Sequence, residues 1–145
     1  MHWKNVVKDK FIQAFMDVAE RFAQLSVAKR ANVGCVIVKD NRILGYGYNG
    51  TPSGWDNECE VDGVTKPEVL HAEANGLMKI AQSNESSKDA VMFCTHEPCI
   101  ECAKLIHQAG IRTVYYREIY DAAKGTGREF LKKSGIGLTQ VSKDG

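Results

Sequence analysis

Phe11, Phe15, Val18, Phe22 and Leu25 recur at spacings of three and four residues, the repeat of one face of an α-helix. Lys8, Asp17, Glu20 and Gln24 fall largely off that stripe. The pattern predicts an amphipathic helix from about Val6 to Ser26 with its aromatic face turned to a core. The period then changes. Asn32 to Asp40 holds the dense apolar run Val33, Cys35, Val36, Ile37 and Val38, which reads as a strand. Asp40-Asn41 is a turn signal, and Arg42 to Tyr48 is the returning strand. Gly45 and Gly47 interrupt it, and glycine inside a strand marks the close approach of a backbone or a ligand. Asn49-Gly50-Thr51-Pro52-Ser53-Gly54 opens a loop expected to run irregularly to about Pro67. Loops of that length in a compact domain carry function or mobility.

Leu70 closes the loop, and Ala72 to Ala81 offers good helix formers. Ser83 to Asp89 is a polar connector, and Ala90 to Thr95 is a buried strand. A helix is expected over Cys99–Ala109, with Pro98 suited to its first turn and Gly110 at its end. The strand Ile111–Arg117 follows. Strand, helix, strand is a crossover unit, so those two strands should be parallel. A loop holding Tyr120 and Asp121 leads to a short helix, about Thr126 to Ser134, stopped by Gly135. Ile136 to Val141 is a last, edge-like strand. The sum is an α/β chain, a three-layer α/β/α sandwich around a central mixed five-stranded sheet.

Composition narrows the class without naming it. The 145 residues suit a single domain spanning 1–145, 43% hydrophobic and 26% charged, ordinary for a globular protein. A net charge of +1 gives no global attraction to nucleic acid or anionic membrane. No apolar run is long enough to span a bilayer, and no signal peptide is evident. The five cysteines are an odd number, which points to a reducing, cytoplasmic setting. Cys35 and Cys94 lie in apolar strand runs and read as buried hydrophobes.

The chemistry is concentrated in His71-Ala72-Glu73 and Pro98-Cys99-Ile100-Glu101-Cys102. A lone Cys-x-x-Cys is a weak signal, and the upstream His-x-Glu makes it a strong one. Catalytic Zn²⁺ takes three protein ligands and keeps one position for water. His71, Cys99 and Cys102 supply that count. Glu73 is left as a carboxylate that can carry protons. Two thiolates bring negative charge to the metal, and a helix N-terminus offsets it and keeps both deprotonated. His71 and Glu73, two apart, converge on one point only where a helix is just starting, so a helix start is placed at about His71. Two other readings fit the residues less well. A redox pair would not need His-x-Glu. A structural zinc site would want four ligands, and nothing pairs with Cys59 as a fourth.

The chain resembles the deoxycytidylate deaminases of the cytidine deaminase superfamily from about Ser26 to Val141. The resemblance lies in Val33–Val38, Gly45-Tyr-Gly-Tyr-Asn-Gly-Thr-Pro-Ser-Gly54, His71-Ala-Glu-Ala-Asn75, Cys94-Thr-His-Glu-Pro-Cys-Ile-Glu-Cys-Ala-Lys-Leu-Ile106 and Gly110-Ile111. His-x-Glu with Pro-Cys-x-x-Cys marks the zinc nucleobase deaminases, and the Gly-Tyr-Asn-Gly-x-Pro-x-Gly loop narrows the match to deoxycytidylate. The resemblance implies a cytidine-deaminase-like fold, one catalytic Zn²⁺ per chain and hydrolysis of dCMP to dUMP and ammonia, which supplies dUMP for dTMP synthesis. It also implies a homo-oligomer, often a hexamer, activated by dCTP and inhibited by dTTP. Carried over by position, Glu73 is the proton shuttle, Asn49 binds the sugar, and Ala72 and Pro98 offer backbone groups to the base. Gly76 stands where the family pattern has alanine. Ser26, Lys29 and Tyr120 are placed at the rim, with Lys29 and Tyr120 toward the phosphate; Arg30, Tyr115, Arg117 and Lys124 are further candidates. The backbone of Asn49, Gly50, Thr51 and Gly54 could cradle an effector triphosphate. Rival readings are a dCTP, cytidine or tRNA-adenosine deaminase, or a zinc-binding module without turnover. The tRNA enzymes need a basic face that Lys132-Lys133 does not provide.

Overall fold

The computed structural model describes residues 7–143. Helix α1 (Asp9–Ala23) is followed by β1 (Gly34–Lys39) and β2 (Arg42–Tyr48), the short pair β3 (Glu60–Val61) and β4 (Val64–Thr65), then α2 (Ala72–Ala81). The second half is β5 (Val91–His96), α3 (Ile100–Gln108), β6 (Thr113–Glu118), α4 (Arg128–Lys133) and β7 (Gly137–Gln140). The five long strands form one sheet in the order β2-β1-β5-β6-β7. β1 is antiparallel to both β2 and β5, while β5, β6 and β7 run parallel. The mixed five-stranded sheet and the parallel crossover through α3 agree with the expectation.

Strand periodicity divides the core in two. Cys35, Ile37, Met92, Cys94 and Val114 project to the face covered by α2, α3 and α4. Val36, Val38, Val91, Phe93 and Tyr115 project to the face covered by α1. β5 lies between β1 and β6 and is buried on both faces, which is why it reads as an unbroken apolar run. Phe93, fully buried between Phe15 and Tyr115 at ring-centroid distances of 5.3 and 5.1 Å, contributes about 1.5–3 kcal/mol by burial alone.

Several expectations need correction. α1 is shorter than predicted: Lys8 is its N-cap and Gln24 its C-cap. Leu25 leaves the stripe and is exposed, and Val6 lies outside the described residues. Met16 and Ala19, one position off the aromatic stripe, are fully buried, because α1 lies close on the sheet along that line: a Cβ on Gly34 would be 2.0 Å from the Ala19 carbonyl oxygen. The loop after Asn49 is not irregular to Pro67. It contains the β3–β4 hairpin, turned at Asp62 and Gly63 with φ of 51° and 76°, the backbone that Asp-Gly favours. The last helix is two residues late at its start, at Arg128, because residues 119–127 cross the metal loop. Pro98 is not in a first helical turn, since Cys99 is the N-cap of α3.

Gly47 shows how tightly α2 sits on the sheet. A Cβ there would lie 2.2 Å from the Ala72 carbonyl oxygen and 2.6 Å from the Gly76 nitrogen. Gly76 itself faces Ile37 Cδ1 at 3.2 Å from where its Cβ would be. The glycine that stands in place of the family's alanine is a packing position.

Candidate active site

Two helix starts meet at the end of the sheet. His71 is the N-cap of α2 and Cys99 the N-cap of α3, each in extended backbone. Glu73 and Cys102 therefore fall in first turns, where unpaired N–H groups favour anions. His71 Nδ1 lies 3.3 Å from Cys102 Sγ and 3.5 Å from Cys99 Sγ. Among the described residues these three form a group able to hold a metal ion, with donor atoms all within 4.8 Å of one another. Zinc–sulfur and zinc–nitrogen bonds at a tetrahedral angle put sulfur and nitrogen about 3.5 Å apart. The observed spacings and the soft N/S donor set fit zinc. Cys59 is buried but does not belong to the group.

The site's titrations follow from this crowding. The Cys102 thiol and then His71 hydrogen-bond Cys99, and hold it down to about 3. Cys102 is pushed well up by the same shared contact and by burial. His71 is raised chiefly by its hydrogen bond to Cys99. Glu73 is buried at 4% exposure. Burial lifts its carboxyl to about 7, against the pull of its own backbone N–H and of His71. An acid poised near neutrality is suited to accept a proton and return it.

These groups open into a cavity of about 460 Å³ lined by His71, Ala72, Glu73, Asn49, His96 and Cys99 among others, within the usual size range of small-molecule sites. Asn49 lines it, with Oδ1 accepting from Val33 N–H at 2.9 Å and Nδ2 donating to the Ala31 carbonyl at 2.8 Å. Each end of the amide keeps further hydrogen-bonding capacity. Tyr120 lines the cavity too. Ser26 donates its hydroxyl to the Asn49 carbonyl at 2.8 Å and so braces that residue. Pro98 is fully buried and accepts from Gly127 N–H at 3.1 Å. Lys29 does not line the cavity, and its backbone N–H donates to Glu60 at 2.9 Å. Its neighbour Arg30 does line it, with Lys66 and Lys124. Gly50, Thr51 and Gly54 lie outside the lining. Gly50 pairs with Leu70, and Thr51 donates its hydroxyl to the Asp56 carbonyl.

Two phosphate candidates are on the other side of the sheet. Arg117 points to α1, where Nη2 donates to Gln13 at 3.0 Å and Asp17 at 2.9 Å. Tyr115 stacks on Phe93. The two-residue alternation of β6 sends both away from the cavity. His96 escaped the sequence reading. Thr95 Oγ1 accepts the Gly34 N–H at 3.1 Å and lies 2.8 Å from His96 Nδ1. A place at the carboxyl end of a buried strand was the available signal.

A family model described as "Cytidine and deoxycytidylate deaminase zinc-binding region" matches residues 9–118. The chain belongs to that deaminase family. It is 44% identical to a crystal structure of dCMP deaminase from the cyanophage S-TIM5 in complex with dCMP and dUMP, with a TM-score of 0.89, covering 94% of this chain and 100% of that one. It is 38% identical over 128 residues to the deoxycytidylate deaminase of Homo sapiens, covering 81% of this chain and 71% of that protein. It is 35% identical over 136 residues to the ComE operon protein 2 of Bacillus subtilis, covering 91% and 71%. This deaminase has a zinc-binding region and a cytidine-deaminase-like fold. Among its described residues, no helix is long and apolar enough to cross a membrane.

Proposed function

We propose that the chain hydrolyses dCMP to dUMP and ammonia, with His71, Cys99 and Cys102 holding Zn²⁺. The observation that carries this reading is a buried carboxyl, Glu73, two residues along from the His71 of a His/Cys/Cys metal group, on the wall of a nucleotide-sized cavity. Zinc bound there supplies a nucleophilic water at neutral pH. Glu73 takes a proton from the attacking water and gives it to the ring nitrogen N3, then takes the remaining proton from the new C4 hydroxyl and gives it to the amine as the C4–N bond breaks. Ala72 and Pro98 present backbone groups to the base, and Asn49 holds the sugar with its remaining donor and acceptor. Glu73, Cys99 and Cys102 are buried while His71 is exposed, and burial of the first three strengthens these interactions.

Cationic side chains also line the cavity. Arg30, Lys66 and Lys124 line it with Tyr120, and Lys66 is ion-paired to Asp56 at 3.6 Å. Arg30, Lys124 and Tyr120 are the groups we assign to the 5′-phosphate, with Lys29 adjacent. Arg30→Ala should raise KM for dCMP and leave deoxycytidine unaffected. Lys29→Ala distinguishes the two neighbours: an effect as large as that of Arg30→Ala returns the phosphate to Lys29. The decisive experiment is ammonia release from a panel of dCMP, CMP, dCTP, deoxycytidine and adenosine-containing RNA, with zinc measured by elemental analysis. Wild type should favour dCMP. Glu73→Ala should keep its zinc and lose roughly 10²–10⁴-fold in rate. Equal rates for the two proteins remove Glu73 from the reaction.

The finer expectations belong to this same reading. The protein works in the cytoplasm as a homo-oligomer, supplies dUMP for dTMP synthesis, and responds to dCTP and dTTP through the glycine-containing Asn49–Gly54 loop. Gly50 there bridges to Leu70, next to His71, which gives an effector on the loop a short route to the metal group. Sigmoidal dCMP kinetics untouched by either triphosphate would remove the effector role.

A further inference from the structure

Glu97 sits two residues before Cys99, and its side chain is 0% exposed. A carboxylate is kept in such a place only where charge and hydrogen bonds replace its water. Arg128 provides them in a fork, with Nε donating to Oε2 and Nη2 to Oε1, both at 2.7 Å. The same Nη2 reaches Asp121 Oδ1 at 2.8 Å. The Tyr120 N–H points to Glu97 Oε1 at 3.4 Å. Backbone bonds stitch the two ends of this segment to the metal loop. The Glu97 N–H donates to the Glu118 carbonyl at 2.9 Å, Ile100 N–H to Gly125 at 3.0 Å, and Gly127 N–H to Pro98 at 3.1 Å. Gly127 permits the approach, since a Cβ there would lie 2.7 Å from Ala103 Cβ.

Between those ends the chain is tied to the metal loop through the Glu97 carboxylate, directly from Tyr120 and by way of Arg128 from Asp121. That middle stretch is a wall of the cavity: Tyr120, Ala122, Ala123 and Lys124 line it. We propose that Glu97 and Arg128 are positioning residues, which act through Tyr120 and Lys124 by setting the 119–124 wall against the metal loop and so against the phosphate end of the substrate. The kinetic side of this proposal rests on the reaction proposed above.

Two variants test it without leaving Glu97 buried and unpaired. Arg128→Lys keeps a cation beside Glu97, but one ammonium cannot span both carboxylate oxygens and Asp121. Asp121→Asn weakens only the exposed outer leg. Arg128→Lys should raise KM for dCMP roughly tenfold and change kcat by less than about threefold. KM for deoxycytidine and zinc per chain should not change. Asp121→Asn should shift KM the same way by a smaller factor. Hydrogen exchange of the amides from Ile119 to Lys124 should quicken about tenfold in Arg128→Lys, with the α2 and α3 amides at wild-type rates. A merely structural pair would lower kcat with the folded fraction and quicken exchange throughout, and either result overturns the proposal. So do unchanged KM and unchanged exchange. If wild type releases no ammonia from dCMP, the reaction reading fails by itself. The exchange pattern then decides alone: quickening confined to 119–124 supports the pair, and any other pattern overturns it.

Discussion

Gly47→Ala is a sharp test of how the reactive end is built. The added methyl would sit 2.2 Å from the Ala72 carbonyl oxygen and 2.6 Å from the Gly76 nitrogen, both backbone atoms of the helix that begins beside His71 and carries Glu73. Carbon–oxygen contacts lie at about 3.3 Å or beyond, so the start of α2 must retreat by roughly 1 Å from β2. Forcing a methyl into a filled space costs about 1–3 kcal/mol. At about 2 kcal/mol a domain of this size loses roughly 4–8 °C in Tm. The displacement also moves Glu73 and His71 relative to Cys99 and Cys102, which sit on a different helix. A shift of about 1 Å at reacting groups can cost on the order of 10²-fold in rate. Calorimetry, zinc content and single-turnover ammonia release on one preparation would read all three effects. A variant with wild-type Tm and wild-type kcat would refute the claim that the α2 start is seated on β2 backbone. A fall in Tm with kcat unchanged would refute the link from that seat to catalysis.

Phe93→Ala removes a fully buried ring from the α1 face and should cost about 3–5 kcal/mol in urea unfolding, with KM of the folded fraction unchanged. Chelation of zinc should lower Tm as well as abolish ammonia release, because the metal joins the starts of α2 and α3; Tm should return on adding zinc back. His96 gives a pH signature. Burial lowers its pKa, against the raising influence of Glu118 on β6 and Glu20 on α1. As pH falls below about 6.5, the unfolded chain takes up this proton before the folded one, so the contribution of His96 to stability is complete above 6.5 and drops toward pH 5, opposite in sign to that of Glu73, whose raised carboxyl is protonated first in the folded chain. His96→Asn should flatten that slope in urea titrations at pH 5 to 7.5, and an unchanged slope would refute the assignment to His96.

Much of this protein was legible in its residues, and the physical reason is locality. Helix and strand periods, Gly110 after α3 and the Cys99/Cys102 spacing of three depend on neighbours along the chain. His71 and Glu73, two apart, already required a helix start, and that is where α2 begins. The β3–β4 hairpin was missed, although Val61-Asp62-Gly63-Val64 carries the Asp-Gly signal, because its two-residue strands are too short to show a period within the surrounding polar loop.

What the tertiary structure decided is which distant residues share a point. Arg117 reads like a phosphate ligand until strand alternation turns it toward α1, and Arg30 replaces Lys29 on the cavity wall because Glu60, from the hairpin, takes up the turn between them. Glu97 announced itself only as an acid beside Cys99. Its partner is 31 residues away, and no local rule selects Arg128 over the other cations. A buried charge demands a partner, but only the folded backbone determines which one is within reach.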